Sequence, residues 1–231
     1  MSGDGDRSNP GRDGPAEHRT TAGSGPDDRR PGAADRLGAL AGKLTAPLWL
    51  WGCTHVGAGV RTLGRPRVVN RGRIEVRDRV VIDSRFSPVE LVSRPGGSIV
   101  VGEGSSVEHG SMLVAAKLVE LGDGVTVGPY CVLSDTDGPE PAALAAAEEA
   151  RPIWVGDGVV VGARVTILPG AVIGAGSHIL PGSMVSGEIP PGVVAGGNPA
   201  RPVRKLPAAG EAGSGAAGAV GVTAGATGLP R

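Results

Sequence analysis

Residues 153–206 read IWVGDGVVVGARVTILPGAVIGAGSHILPGSMVSGEIPPGVVAGGNPARPVRKL, and counting by six from Val155 lands on Val161, Ile167, Ile173, Ile179 and Val185. Every one of these is a β-branched aliphatic. Four residues after each comes a second apolar or small residue: Val159, Val165, Ala171, Ser177, Ser183 and Ile189. Gly, Asp, Pro and Ala fill the positions between. A 3.6-residue period cannot keep a strict six-residue set on one face, and this density of Gly and Pro would break a helix. A short strand, a corner and another short strand every six residues describe instead a prism of three parallel sheets, about three hexapeptides to a turn. The fold class expected is therefore all-β, a coil of parallel strands with stacked inward aliphatics.

The rhythm extends upstream. Ile74, Val76, Val80, Ile82 and Phe86 fit one segment, Ile99, Val101, Val107 and Leu113 the next, and Leu121, Val125, Val127, Cys131 and Leu133 a third. Eight residues separate Leu113 from Leu121, which implies a two-residue insertion at a corner. After Leu133 the repeat halts until Ile153, so residues 134–152 (SDTDGPEPAALAAAEEARP) are expected to leave the coil as an excursion loop, and long loops in compact folds are often functional.

Composition agrees with a narrow aliphatic interior. The 231 residues include 41 Gly and 20 Pro but only three Trp, one Tyr and one Phe, so a large aromatic core is excluded. Lys plus Arg equals Asp plus Glu, 23 each, which gives no reason to expect nucleic-acid binding or electrostatic membrane attachment. Cys53 and Cys131 lie far apart, and Cys131 falls on an inward position, where a buried small apolar residue is expected rather than a disulfide or nucleophile. Residues 1–33 lack an apolar region that would serve as a signal peptide, no stretch approaches the roughly 18 apolar residues of a membrane span, and the cytoplasm is the expected location.

The organisation expected is a disordered tail over 1–33, a helical and apolar capping segment over 34–64, the coil over 65–206 and a second disordered tail over 207–231. Within the cap, Asp35 is an N-cap candidate, Leu37, Leu40, Ala41 and Leu44 follow at helical spacing, Pro47 marks a break, and Leu48, Trp49, Leu50 and Trp51 form an apolar turn. Its expected role is to cover the open first end, with a membrane-surface role as the alternative reading of LWLW. At the other end, Pro190-Pro191 is expected to stop the ladder, since proline has no N–H to donate.

Residues 153–206, together with IVVGEGSSVEHGSMLVAAKLVELGDGVTVGPYCVLSDTDG upstream, resemble the hexapeptide-repeat acyltransferases, and within them the branch that acetylates sugars and small molecules. The resemblance covers about residues 65–206. It implies a left-handed parallel β-helix, a homotrimer, acyl-CoA (acetyl-CoA) as co-substrate with no metal, and a small-molecule acceptor. On matching positions it implies CoA contacts at Gly162 and Ala163, at the Leu180-Pro181-Gly182 corner, at Ser186 and Gly187, and from Arg201 and Arg204, with Lys205 assisting. Gly-rich corners suit pantetheine amides and guanidinium suits phosphates.

In that family a histidine ending a motif like D-T-D-x-H is the general base. Here the text runs Asp135-Thr136-Asp137-Gly138-Pro139, with proline in the histidine position. The asparagine that binds the acceptor, about thirteen residues before the I-G-D, is replaced by Glu108, followed by His109. Three readings stay open at this level. Proton transfer falls to His109 or to a carboxylate from Glu108, Asp135, Asp137 or Glu140, the carboxylates needing a raised pKa, or a neutral amine acceptor needs only positioning. Alternatively, His109 and Glu108 act on a different reaction of a CoA-like or biosynthetic intermediate, or the chain is a non-catalytic scaffold. Zinc held by three histidines, as in the carbonic-anhydrase branch of the fold, is disfavoured, because the repeat offers only His109 and His178. Asp123 and Asp157 are expected as turn formers.

Overall fold

The computed structural model describes residues 48–136 and 149–207. Each turn of the chain visits three parallel sheets in order. The first sheet stacks His55–Val56, Arg73–Val76, Ser98–Val101, Leu118–Leu121, Ile153–Val155, Val172–Ile173 and Glu188–Ile189. The second holds Arg61–Gly64, Val81–Ser84, Ser106–Val107, Thr126–Val127, Val160–Val161, His178–Ile179, Val193–Gly197 and Ala200–Lys205. The third holds Arg67–Asn70, Glu90–Ser93, Met112–Ala115, Val132–Ser134, Thr166–Ile167 and Met184–Val185. The fold is a parallel β-helix.

Register turns the six-residue count into columns. Val76, Val101, Leu121, Val155, Ile173 and Ile189 lie one above the next in the first sheet. Leu91, Leu113, Leu133, Ile167 and Val185 do so in the third. All of these side chains are buried. Each gains about 1.5–3 kcal/mol from leaving water, and each also packs on the coil above and the coil below. The second inward set carries serines that tie coils together. Ser111 donates to the Gly128 carbonyl (2.8 Å) and accepts from the Cys131 N–H (3.0 Å), and Ser105 does the same with Gly122 (2.9 Å) and Val125 (2.9 Å). Asp78, Asp123 and Asp157 act as turn formers: each accepts the N–H of a residue in the preceding coil, from Ala58, Glu103 and Asp123 respectively, at 2.7, 2.7 and 2.8 Å.

Corner glycines let one backbone lie directly on the next. A Cβ on Gly102 would collide with the carbonyl of Gly122 in the following coil, where no flexible side chain exists to move aside. Gly102→Ala is expected to destabilise the fold by about 1–3 kcal/mol or more, read as a lower urea midpoint at unchanged slope. An unchanged midpoint would mean that the coils can spread at this corner at no cost.

The expected boundaries need three corrections. The coil begins at His55, about ten residues before Arg65, because Val56 stacks on Val76 and Arg61–Gly64 pairs fully with Val81–Ser84. Phe86 does not point inward; it is 78% exposed, and Val89 takes the buried place before the third sheet. Ile189 is not the fourth residue after Val185 in the repeat but the next main column residue, stacked on Ile173, since the Ser186-Gly187 corner is two residues short. The prolines therefore end only the first sheet. Gly122, Gly156 and Gly174 each donate at this corner to a residue of the next coil, and Pro190 stands where no further coil offers a carbonyl. The second sheet runs on through Val193–Gly197, and Ala200–Lys205 folds back antiparallel against it.

Of the expected cap, residues 34–47 lie outside the described residues, as do both expected tails apart from Pro207. Leu50 is fully buried at the head of the core, and its carbonyl accepts from Cys53 N–H (2.8 Å). Arg65 stacks over the Trp49 ring at 4.9 Å. Among the described residues no helix is long and apolar enough to cross a membrane.

Candidate active site

The prism edge between the second and third sheets collects Glu108, His109, Gly162, Ala163 and Pro181 from the expected functional residues. In four successive coils the second-sheet strand enters this corner through Glu108-His109-Gly110, Gly128-Pro129-Tyr130, Gly162-Ala163-Arg164 and Leu180-Pro181-Gly182. Coil stacking places these triplets in file. Tyr130 N–H donates to His109 carbonyl (3.0 Å), Arg164 N–H to Pro129 carbonyl (2.8 Å) and Gly182 N–H to Ala163 carbonyl (2.8 Å). Pro129, Tyr130, Ala163, Arg164, Pro181 and Gly182 line a groove of ≈ 470 Å³. The groove therefore includes three of the residues expected to contact CoA, Ala163, Pro181 and Gly182.

His109 sits at the head of this file. Its imidazole meets Phe86 edge to face (5.2 Å between centroids, 71°) and Tyr130 likewise (5.3 Å, 88°). Asp83 is close enough to feel the charge of His109. Burial acts to raise the Asp83 carboxyl, but Arg85, bonding it through side chain (2.7 Å) and backbone N–H (3.0 Å), outweighs burial and holds it below the ordinary carboxylate range. Asp83 therefore stays ionised. Glu108 is half-buried next to His109.

Gly162 belongs to the same edge, where its carbonyl accepts from the buried Cys131 thiol (3.0 Å). Arg201 pairs with Gly196, and a Cβ at Gly196 would meet the side chain of Leu180, which puts Arg201 near the lower end of the file. Arg204 pairs with Val194, farther along the strand, and both arginines are exposed, as is Lys205. Ser186 and Gly187 stand apart from this edge, at the corner between the third and first sheets.

Asp135 is not placed for catalysis. It is fully buried at that same third-to-first corner, one coil beyond the Ala116-Lys117 insertion. Its carboxylate accepts the N–H groups of Ala116, Lys117 and Leu118, each at 2.7 Å. The two-residue insertion leaves those amides without ladder partners, and Asp135 supplies them. Its backbone also closes the base of the excursion, with Arg151 N–H donating to Asp135 carbonyl (2.9 Å). Asp137, Pro139 and Glu140 lie outside the described residues. His178 is exposed on a second-sheet strand, and among the described residues no cluster of three or more His, Cys, Asp or Glu is close enough to hold a metal.

Sequence reasoning missed Tyr130, which joins the groove to His109, and Phe86, which it assigned to the core. One signal for Tyr130 was available: it occupies the corner position that is glycine in Gly110 and Gly182.

Cys131 is buried and Cys53 half-buried. Burial raises the Cys131 thiol, and it pushes Cys53 from 9.0 up to about 11. A folded-state thiol pKa above its unfolded value contributes stability below the unfolded value, and that contribution is lost as pH rises. Folding free energy is therefore expected to fall between about pH 9 and 11, with a shallower slope in Cys53→Ala, as read from denaturation midpoints across that range. Equal slopes would show that Cys53 ionises alike in both states.

Residues 152–187 match the family model described as Bacterial transferase hexapeptide (six repeats). Over 113 residues the chain is 36% identical to galactoside O-acetyltransferase of Escherichia coli (strain K12), a match covering 48% of this chain and 56% of that protein. The chain spans little more than half, 55–58%, of the length of the curated relatives it matches. Among solved structures it is similar to AntD, an N-acyltransferase from Bacillus cereus in complex with dTDP and 3-hydroxybutyryl-CoA (20% identity, TM-score 0.58, 71% of this chain and 88% of that one). It is also similar to the polySia specific acetyltransferase NeuO (21% identity, TM-score 0.50, 65% and 81%). These likenesses show a shared fold.

Proposed function

We propose, for a chain that resembles the hexapeptide-repeat acetyltransferases in repeat and in fold, that it is a CoA-dependent acyltransferase, moving an acetyl group to a hydroxyl or amine of a sugar or another small metabolite. One observation carries this reading: Tyr130 both lines the groove and touches His109, so a cleft of suitable shape and the described residue best suited to act as a base share one prism edge. The groove fits the pantetheine arm of CoA, because Pro129, Ala163 and Pro181 give it apolar walls and exposed Arg164 gives its rim a cation. Arg201 supplies a second cation toward the end of the coil, suited to the nucleotide phosphates. The thioester supplies an activated acyl carbon. As the acceptor oxygen or nitrogen bonds to the acyl carbon, His109 takes its proton and ionised Asp83 stabilises the cation that results. The C–S bond then breaks and the CoA thiolate leaves with that proton.

The same fold presents outward apolar residues at Trp154 and Val172, neighbours in the first sheet, 45% and 40% exposed. They support packing of flat prism faces into a homotrimer, which light scattering would report as three times the chain mass. The function is tested by thermal shift and thiol release. Acetyl-CoA is expected to raise the melting temperature, and free CoA is expected to accumulate with at least one member of a panel of sugars, amino sugars and amines. A protein that millimolar CoA and acetyl-CoA leave unshifted is not a CoA-dependent acyltransferase.

A further inference from the structure

The whole chain contains one Phe and one Tyr, and both lie against His109. Neither serves the core: Phe86 is 78% exposed and Tyr130 47% exposed. Their cost is visible in the backbone. Tyr130 adopts a left-handed conformation (φ 58°), which Gly110 and Gly182 adopt at the same corner position with no Cβ to crowd (φ 70° and 71°), while Arg164 shares it between them (φ 57°). Gly110 in turn must be glycine, because a Cβ there would overlap the Tyr130 ring. The corner of one coil is thus emptied so that the aromatic ring of the next can rise against His109, and strain of this kind gathers at working sites.

We infer that Phe86 and Tyr130 are positioning residues for His109, two rings that meet the imidazole edge to face and fix its orientation at the head of the groove. The geometry stands by itself, while its consequence for turnover rests on the acyl-transfer reading. Two rings bear on the imidazole, Phe86 and Tyr130, and the Tyr130 N–H holds the His109 backbone carbonyl at 3.0 Å. Loss of either ring frees rotation about the side chain without removing the base.

The test compares Tyr130→Gly, Tyr130→Phe and Phe86→Ala with the wild type, by imidazole NMR of histidine-labelled protein, melting temperature and steady-state kinetics. Glycine at 130 releases the left-handed strain, so this variant is expected to fold with an equal or higher melting temperature. Both ring deletions are expected to shift the His109 resonances and to lower kcat by about 10- to 100-fold, the cost of a misplaced catalytic group. Phe86 lies outside the groove, so Phe86→Ala should leave KM for acetyl-CoA unchanged. Tyr130→Phe keeps the ring and should restore both the resonances and most of the turnover. Unmoved His109 resonances in both ring deletions overturn the clamp whatever the activity. Moved resonances alongside a wild type that transfers no acyl group uphold the clamp and sink the acyl-transfer reading instead.

Discussion

Replacing His109 by alanine is expected to lower acyl-transfer turnover by about 10²- to 10⁴-fold, while acetyl-CoA still raises the melting temperature. The groove residues Pro129, Ala163, Pro181 and Gly182 do not depend on the imidazole, so donor binding persists when the base is gone. Asp83 and Asp135 are poor substitutes. Asp83 is held ionised below the ordinary carboxylate range by Arg85, which makes it a weak proton acceptor, and Asp135 is shut away from any substrate. Added imidazole should recover part of the lost rate in the smaller His109→Gly variant, as expected for a missing base. If His109→Ala retains wild-type turnover, the proton goes to another residue and the assignment fails.

Asp135→Ala is expected to damage the fold by about 3–9 kcal/mol, since three backbone amides each lose their acceptor at about 1–3 kcal/mol apiece. Asp135→Asn keeps the shape and one acceptor oxygen, so an intermediate loss is expected. Urea denaturation of the three proteins measures the series. The decisive comparison is activity per folded molecule: a catalytic carboxylate would abolish it in Asp135→Asn, whereas a corner-holding carboxylate leaves it near that of the wild type. A stability loss below about 1 kcal/mol in Asp135→Ala would contradict the role given to the three amides.

The two variants show where sequence reading succeeded and where it failed. A count of six identifies which side chains point inward, because stacked coils force the same phase on each, and Val155 through Val185, with Cys131, obeyed it. The phase does not report corner lengths. At Ser186-Gly187 the shortening moved Ile189 into a main column, and at Ala116-Lys117 the insertion created a need for acceptors that only three-dimensional stacking reveals. Asp135 resembled a catalytic motif in the text and proved to answer that need. Phe86 fitted the count as an apolar residue, yet its corner runs on to Val89 before the core resumes. His109 was legible as a candidate because it adjoins Glu108, which stands where the resemblance puts an acceptor-binding asparagine. Its two aromatic neighbours were not, since Phe86 and Tyr130 lie 23 and 21 residues away and meet it only across coils.

The reversed strand Ala200–Lys205 has a consequence for assembly. A stack of parallel coils is a template that another molecule's strands can extend, end to end, into a fibre. Pairing Val193–Gly197 with a strand of opposite polarity replaces that template in the second sheet, and the outer rim now carries Arg201, Pro202, Arg204 and Lys205, all exposed. Three like charges and a residue without an N–H repel the next edge instead of receiving it. The turn at Asn198-Pro199 thus acts as a chain terminator for the solenoid, keeping a self-templating architecture at a fixed length.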